Sequence, residues 1–215
     1  MIKVRNAVKE DLVGVTKVQS FCFPNSFYVK LGKIHKDSLL LFNKCFLDKY
    51  SDLFYVAVNE NNKVIGFVFG YEHDKKRIIR SYYKALLLSV PNPKILFFFI
   101  CQILALIKNR LCSLVKNEKN NIEIVEDNID ISVMNKRTHL FYIAVLPEAR
   151  GIGVAQKLLN SFWDASIKRA KPVTMLCVAK TNMRAFSFYK KNGYTIYAKL
   201  GNNDYLLIKR IGTHS

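Results

Sequence analysis

The stretch ARGIGVAQKLL, Ala149–Leu159, sets two glycines behind an arginine at the start of a helical pattern. A dinucleotide-binding fingerprint would need a third small residue where Gln156 stands, and a P-loop would need Gly-Lys-Ser/Thr; neither is present. A simpler reading fits. Glycines let several backbone N–H groups converge on one anion, and a helix that starts there adds the positive end of its dipole. Arg150 adds a charge. A diphosphate suits such a loop, against the plain alternative of a glycine turn that only opens a helix.

Working outward, HLFYIAVL (His139–Leu146) precedes the loop as an almost wholly apolar strand. Period-two spacing puts His139 on one face with Phe141, Ile143 and Val145. After the loop, residues 151–170 read as a helix whose apolar face holds Ile152, Ala155, Leu159, Phe162, Trp163 and Ile167. VTMLCVA (Val173–Ala179) is a strand. Residues 181–191 form a short helix with Gly193 past its end, and YTIYAKL and DYLLIKR close as a hairpin. In the N-terminal part, residues 2–7 read as a strand. Residues 10–23 read as a helix with Leu12, Val15, Val18, Phe21 and Cys22 inside. Residues 27–49 make a second helical region that Gly32 can interrupt, followed by a hairpin across Asn59–Asn62. The alternation of strands and helices is a layered α/β arrangement.

Residues 73–138 interrupt this plan. They run from basic (Lys75, Lys76, Arg77, Arg80, Lys84) to very apolar (Ile95–Ile107), then basic, then acidic. The apolar run is thirteen residues long, below the roughly 20 a spanning helix needs. It is a helix buried on the core, a lid on an acceptor pocket, or, with Lys94, Lys108 and Arg110 at headgroups, a peripheral membrane contact through residues 94–110.

The 215 residues, half of them hydrophobic, suit one domain with an insertion, and the net charge of +18 points to an anionic partner. Nucleic acid fits the charge but not the pattern: the cations are dispersed and no nucleic-acid motif occurs. The N-terminus carries charges and no apolar run, so no signal peptide is read there. Five scattered cysteines without CxxC and four histidines without ligand spacing predict no disulfide framework and no metal, and a cytoplasmic location.

At this point the chain resembles a family. Arg150-Gly151-Ile152-Gly153-Val154-Ala155 is similar to the Arg/Gln-x-x-Gly-x-Gly/Ala loop of GNAT-type N-acetyltransferases. IAVLPEARG (Ile143–Gly151) is similar to that family's strand entry to the loop. NMRAFSFYKKNGY (Asn182–Tyr194) resembles its Asn-x-x-Ala-x-x-Phe-Tyr segment. The resemblance spans about Leu140 to Arg210 closely and residues 1–71 loosely, and does not reach the insertion. A weaker likeness, in residues 23–46 and the insertion after them, is to GNAT proteins of polysaccharide-biosynthesis loci.

The resemblance implies one GNAT-like domain over residues 1–215, with a mixed, mostly antiparallel central sheet flanked by helices and a helical insertion at 73–138 before the central strand. It implies acetyl-CoA as acyl donor, with the pyrophosphate on the backbone of Arg150, Gly151, Ile152, Gly153, Val154 and Ala155, and the pantetheine arm along Val145 and Asn182. It implies direct attack of a primary amine on the thioester, with Tyr189 donating a proton to the leaving sulfur. His139 is one candidate base. Glu72 and His73 are others, a water chain replaces them in many relatives, and Glu148 reads as structural. The acceptor implied is a small amine; the weaker likeness points to a nucleotide-linked amino sugar. Competing readings are a longer acyl chain or a lipid-linked acceptor at a membrane, and a basic nucleic-acid-binding protein. An oligomer is compatible with all of them.

Overall fold

The computed structural model describes residues 2–34, 37–72, 75–88, 97, 101, 122–125, 136–201 and 203–212. Among them the strands are β1 (Lys3–Asn6), β2 (Phe54–Val58), β3 (Val64–Tyr71), β4 (Ile122–Ile124), β5 (Arg137–Val145), β6 (Val173–Ala179), β7 (Thr195–Leu200) and β8 (Asp204–Arg210). The α-helices are α1 (Leu12–Cys22), α2 (Phe27–Ile34), α3 (Ser38–Tyr50), α4 (Lys75–Leu88), α5 (Val154–Lys168) and α6 (Met183–Lys191). The strands form one sheet in the order β1-β2-β3-β5-β6-β8-β7-β4. Every adjacent pair is antiparallel except β5–β6, which is parallel.

One face of the sheet is aromatic. Phe69 and Tyr71 of β3 and Phe141 of β5 meet Phe42 and Phe46 of α3 with ring centroids about 5–6 Å apart, and Phe67 stacks on Phe69. The other face carries α5, whose Phe162 and Leu158 lie over Gly70 and Gly66. A Cβ on Gly70 would come within 2.6 Å of the Phe162 ring, so this position has no room for a side chain. Thr138 links β5 to α5 through a buried 2.8 Å hydroxyl pair with Ser166.

The register of β3 against β5 shifts at Phe69/Gly70, opposite Tyr142 and Leu140. Phe141 is the extra residue of a β-bulge. The bulge reverses the alternation of β5, so Phe141 and Tyr142 both face the α1–α3 side. Phe141 touches Phe42 and Phe46, and Tyr142 touches Phe23 and Phe69. The single face expected for His139, Phe141, Ile143 and Val145 is therefore corrected. His139 and Phe141 share one face, and Val145 lies on the other near Leu158, because an extra residue changes the parity of every position beyond it.

Other expectations shift for local reasons. The break in the second helical region falls between Ile34 and Ser38, and Gly32 stays inside α2, packed against Leu39. Phe21 is exposed, and the amide side chain of Gln19 is buried in its place. Because α5 begins at Val154, its inner face is Val154, Leu158, Leu159, Phe162 and Ala165; Ile152 and Ile167 are exposed. The insertion contributes α4 and also a strand: β4 extends the far edge of the sheet beside β7.

Candidate functional site

The parallel pair β5–β6 is joined only over Arg137–His139 against Val173–Met175. Beyond that, β6 stays with β8 to Ala179 and β5 stays with β3 to Val145. The two strands share no ladder past His139, which leaves a cleft in the middle of the sheet. The bulge at Phe141 sits where they part, and a bulge bends and twists the strand that carries it. Leu146 N–H donates to the Ile65 carbonyl and Val145 is paired with Gly66. By the alternation of an antiparallel ladder, the N–H and C=O of Val145 point away from β3, into the cleft.

The mouth of the cleft is the glycine loop. A single turn of 3-10 helix, Pro147–Ala149, leads through Arg150 to Gly151 and Gly153, which have φ of +81° and +80°. Non-glycine residues avoid that region. A Cβ at either glycine would meet nothing within 4 Å, so backbone conformation, not crowding, selects glycine here. The first intrahelical bond of α5 runs from Lys157 N–H to the Gly153 carbonyl. The N–H groups of Val154, Ala155 and Gln156 lack partners within the helix. No acidic residue occupies the first turn of α5. This arrangement can take a diphosphate.

Arg150 turns back. Its Nε donates to the Val145 carbonyl at 2.8 Å, and its Nη2 lies 3.9 Å from Cys22 Sγ. The Cys22 thiol in turn donates to the same carbonyl, at 3.7 Å. The guanidinium thus ties the loop to the strand end and leaves the Val145 N–H as the cleft-facing donor. Cys22 was not singled out by sequence reasoning; no local pattern announces a contact across more than a hundred residues. Burial pushes its thiol pKa upward despite the neighbouring guanidinium.

On the β6 side, α6 is capped by Asn182, whose Oδ1 accepts from Ala185 N–H at 3.2 Å. Tyr189 lies on its inner face, 6% exposed, with ring centroids 5.5 Å from both Phe188 and Tyr194. Burial, with Tyr194 beside it, pushes the Tyr189 phenol far above its ordinary pKa. It therefore remains an O–H donor. Tyr194 fixes the floor under it: its hydroxyl pairs with Thr174 Oγ1 at 2.8 Å and accepts from Trp163 Nε1 at 3.1 Å.

The candidate bases gather at the closed end. Arg137 Nε donates to His139 Nε2 at 3.0 Å, and the imidazole stacks on Tyr71 with centroids 4.9 Å apart. That bond occupies the Nε2 lone pair. Glu72 accepts from Arg169 and pairs with Lys171. Burial pushes its pKa up, but the bonds and charges of those two cations outweigh this and hold it below the ordinary carboxylate range. Glu148 is exposed in the 3-10 turn. His73 lies outside the described residues, as does the 94–110 segment except Phe97 and Cys101. Among the described residues, no group of three His, Cys, Asp or Glu could hold a metal, and no helix is long and apolar enough to cross a membrane.

An aromatic wall that the sequence did not flag flanks the cleft on the α1–α3 face. Phe23 lies 4.8 Å from Tyr142, Tyr28 stacks on Phe42 at 3.9 Å, and Lys75 Nζ sits 5.0 Å from the Phe141 ring.

Comparison with known proteins agrees with this geometry. Residues 113–196 match the family model described as the acetyltransferase (GNAT) domain. No curated protein matches the sequence. Among solved structures, PH1933 from Pyrococcus horikoshii OT3 is similar with a TM-score of 0.60 at 18% identity, over 99% of this chain and 100% of that one. The PaiA N-acetyltransferase from Thermoplasma acidophilum, solved in complex with coenzyme A, gives a TM-score of 0.56 at 17% identity, over 98% and 99%. The ribosomal-protein-S18-alanine N-acetyltransferase from Escherichia coli gives 0.55 at 14% identity, over 100% and 97%. The sheet and its flanking helices are thus the GNAT fold.

Proposed function

We propose that the chain, whose residues 113–196 match the acetyltransferase (GNAT) domain model, transfers the acetyl group of acetyl-CoA to a primary amine of a small acceptor by direct attack. The observation that carries this reading is the cleft between β5 and β6, opening on the loop of Gly151 and Gly153 at the start of α5. A diphosphate would rest on the N–H groups from Gly151 to Ala155, and the pantetheine arm would run along the free edge of β5. The Val145 N–H would then polarise the thioester carbonyl. As the amine nitrogen bonds to the carbonyl carbon, charge builds on that oxygen. As the carbon–sulfur bond breaks, the Tyr189 hydroxyl gives the sulfur its proton, and the proton lost by the acylated nitrogen returns through water to the Tyr189 oxygen.

The amine must be neutral to attack. His139 lies at the closed end of the cleft, but it can take a proton on Nε2 only by giving up the bond from Arg137. Water is therefore the principal acceptor of that proton, with His139 positioning Tyr71 and the strand end. For the acceptor we favour a nucleotide-linked amino sugar. The positive charge of the chain and Lys75 over Phe141 suit an anionic ligand with a flat group to stack.

The test is calorimetric titration of acetyl-CoA into the wild type and Gly153→Glu, followed by an acceptor screen that detects free thiol. Binding by the wild type alone supports the loop assignment. Absence of binding by both removes the acetyltransferase reading. Thiol release with amino acids or peptides but not with amino-sugar nucleotides replaces the acceptor and keeps the reaction.

A further inference from the structure

Arg150 presents one edge of its guanidinium to two acceptors from distant parts of the chain. Nε donates to the Val145 carbonyl at 2.8 Å, and Nη2 lies 3.9 Å from Cys22 Sγ. These two nitrogens form one side of the guanidinium fork, so a single orientation of the side chain meets both contacts. The ring closes through the thiol, which donates to the same carbonyl at 3.7 Å. Burial raises the Cys22 pKa, and the bond and charge of Arg150 offset this only in part, so the sulfur keeps its proton at neutral pH. Cys22 is held at this place by the end of α1. The helix stops there, Phe23 N–H donates back to the Gln19 carbonyl at 2.9 Å, and the Phe23 ring lies 4.8 Å from that of Tyr142. The end of α1 thus meets β5 at two places, the Tyr142 ring and the Val145 carbonyl.

We propose that Cys22 is a positioning residue for the glycine loop: it selects the inward orientation of Arg150 and, through it, sets the path of the chain from Val145 to Gly151. Its bearing on acetyl-CoA rests on the acetyl-transfer reading; the contact itself does not. Cysteine suits the position because its sulfur accepts from the guanidinium while its proton goes to the carbonyl, and alanine can do neither. A loop fixed in advance loses less freedom when a diphosphate arrives.

The experiment reads the loop and the ligand separately, on the full chain. Hydrogen exchange without ligand follows the amides of Leu146, Ala149 and Arg150, which donate to the Ile65, Leu146 and Pro147 carbonyls. Calorimetry follows acetyl-CoA. The variants are C22A, C22S, R150A and C22A/R150A; alanine and serine are close in volume and differ by a hydroxyl. C22A should exchange these amides about fivefold faster and bind acetyl-CoA about fivefold more weakly, the scale of one hydrogen bond. C22S should recover part of both losses. In the R150A background C22A should add less than about twofold, because it acts through Arg150. The proposal is overturned by equal losses in C22A and C22S, which would make Cys22 a packing residue, by single losses that add in the double variant, or by exchange in C22A equal to wild type. Absence of acetyl-CoA binding by the wild type removes the acetyl-transfer reading and leaves the exchange rates to decide alone: faster exchange in C22A upholds the positioning role, and unchanged exchange overturns it.

Discussion

The two ends of β5 do opposite things with the same kind of backbone. At the closed end, Arg137–His139 is paired with β6 and His139 with β3 as well, Thr138 is fully buried against Ser166, and the His139 ring is stacked on Tyr71. At the open end, Val145 is held on one edge only, its carbonyl is taken by Arg150, and the chain passes into two glycines at which a Cβ would meet nothing within 4 Å. Gly70, beside the closed end, is needed because there is no space; Gly153, beyond the open end, is needed because of its backbone angle in free space. A strand saturated on both edges contributes to stability. A strand left half-paired at a polar mouth keeps donors for a ligand. Substitutions should divide accordingly.

The largest effect is expected at Gly70. Gly70→Val drives a branched side chain into Phe162 and the His139 carbonyl, and should cost about 4 kcal/mol or prevent folding, as measured by denaturant unfolding. Gly153→Glu should do the reverse: about hundredfold weaker acetyl-CoA binding by calorimetry, with a stability loss limited to the roughly 1–2 kcal/mol of a side chain in left-handed backbone. A variant that unfolds, or binds normally, would erase the contrast between the two glycines. Tyr189→Phe keeps the packing and removes the donor. We expect kcat to fall roughly a hundredfold with little change in KM, a split that a purely structural tyrosine would not give.

Two carboxylates in ion pairs make a pH prediction. Glu72 and Asp11 both have folded pKa values below the ordinary range. Burial raises each, and the hydrogen bonds and charge of Arg169 and Lys171, or of Arg5, more than reverse that. A depressed carboxyl contributes its stability above the unfolded pKa, near about 4, and loses it as pH falls through the folded value. Glu72→Gln should therefore cost about 1 kcal/mol at neutral pH, and the gap from wild type should close as the melts are taken to about pH 3. A gap that stayed constant across that range would assign Glu72 a packing role. The smallest effect is expected for His139→Gln, less than about tenfold in kcat, because Arg137 holds the nitrogen that a base would use. A larger loss, with the acid limb of the rate profile removed, would restore His139 as the base.

Much of this was legible in the chain. The glycine turn of ARGIGV and the helix after it could be read because the signal is local: left-handed backbone demands glycine, and a helix pattern starts beside it. Asn182 and Gly193 announced the two ends of α6 for the same reason, a cap and a left-handed stop. The buried face of α5 shares only Leu159 and Phe162 with the face that the sequence period predicts, since hydrophobic period does not say where the first turn begins.

What only the tertiary structure decided are relations between distant residues. The chain does not say that β5 leaves β6 after His139, that Phe141 bulges and flips the parity of Val145, or that Arg150 turns inward to a carbonyl shared with Cys22. Nor does it say that residues 122–124 of the insertion complete the far edge of the sheet. The sequence by itself determined which backbone conformations and which chemical groups are available. Their register across the sheet was set by packing between elements far apart in the chain, because pairing and burial are summed over the whole core and not over any one window of residues.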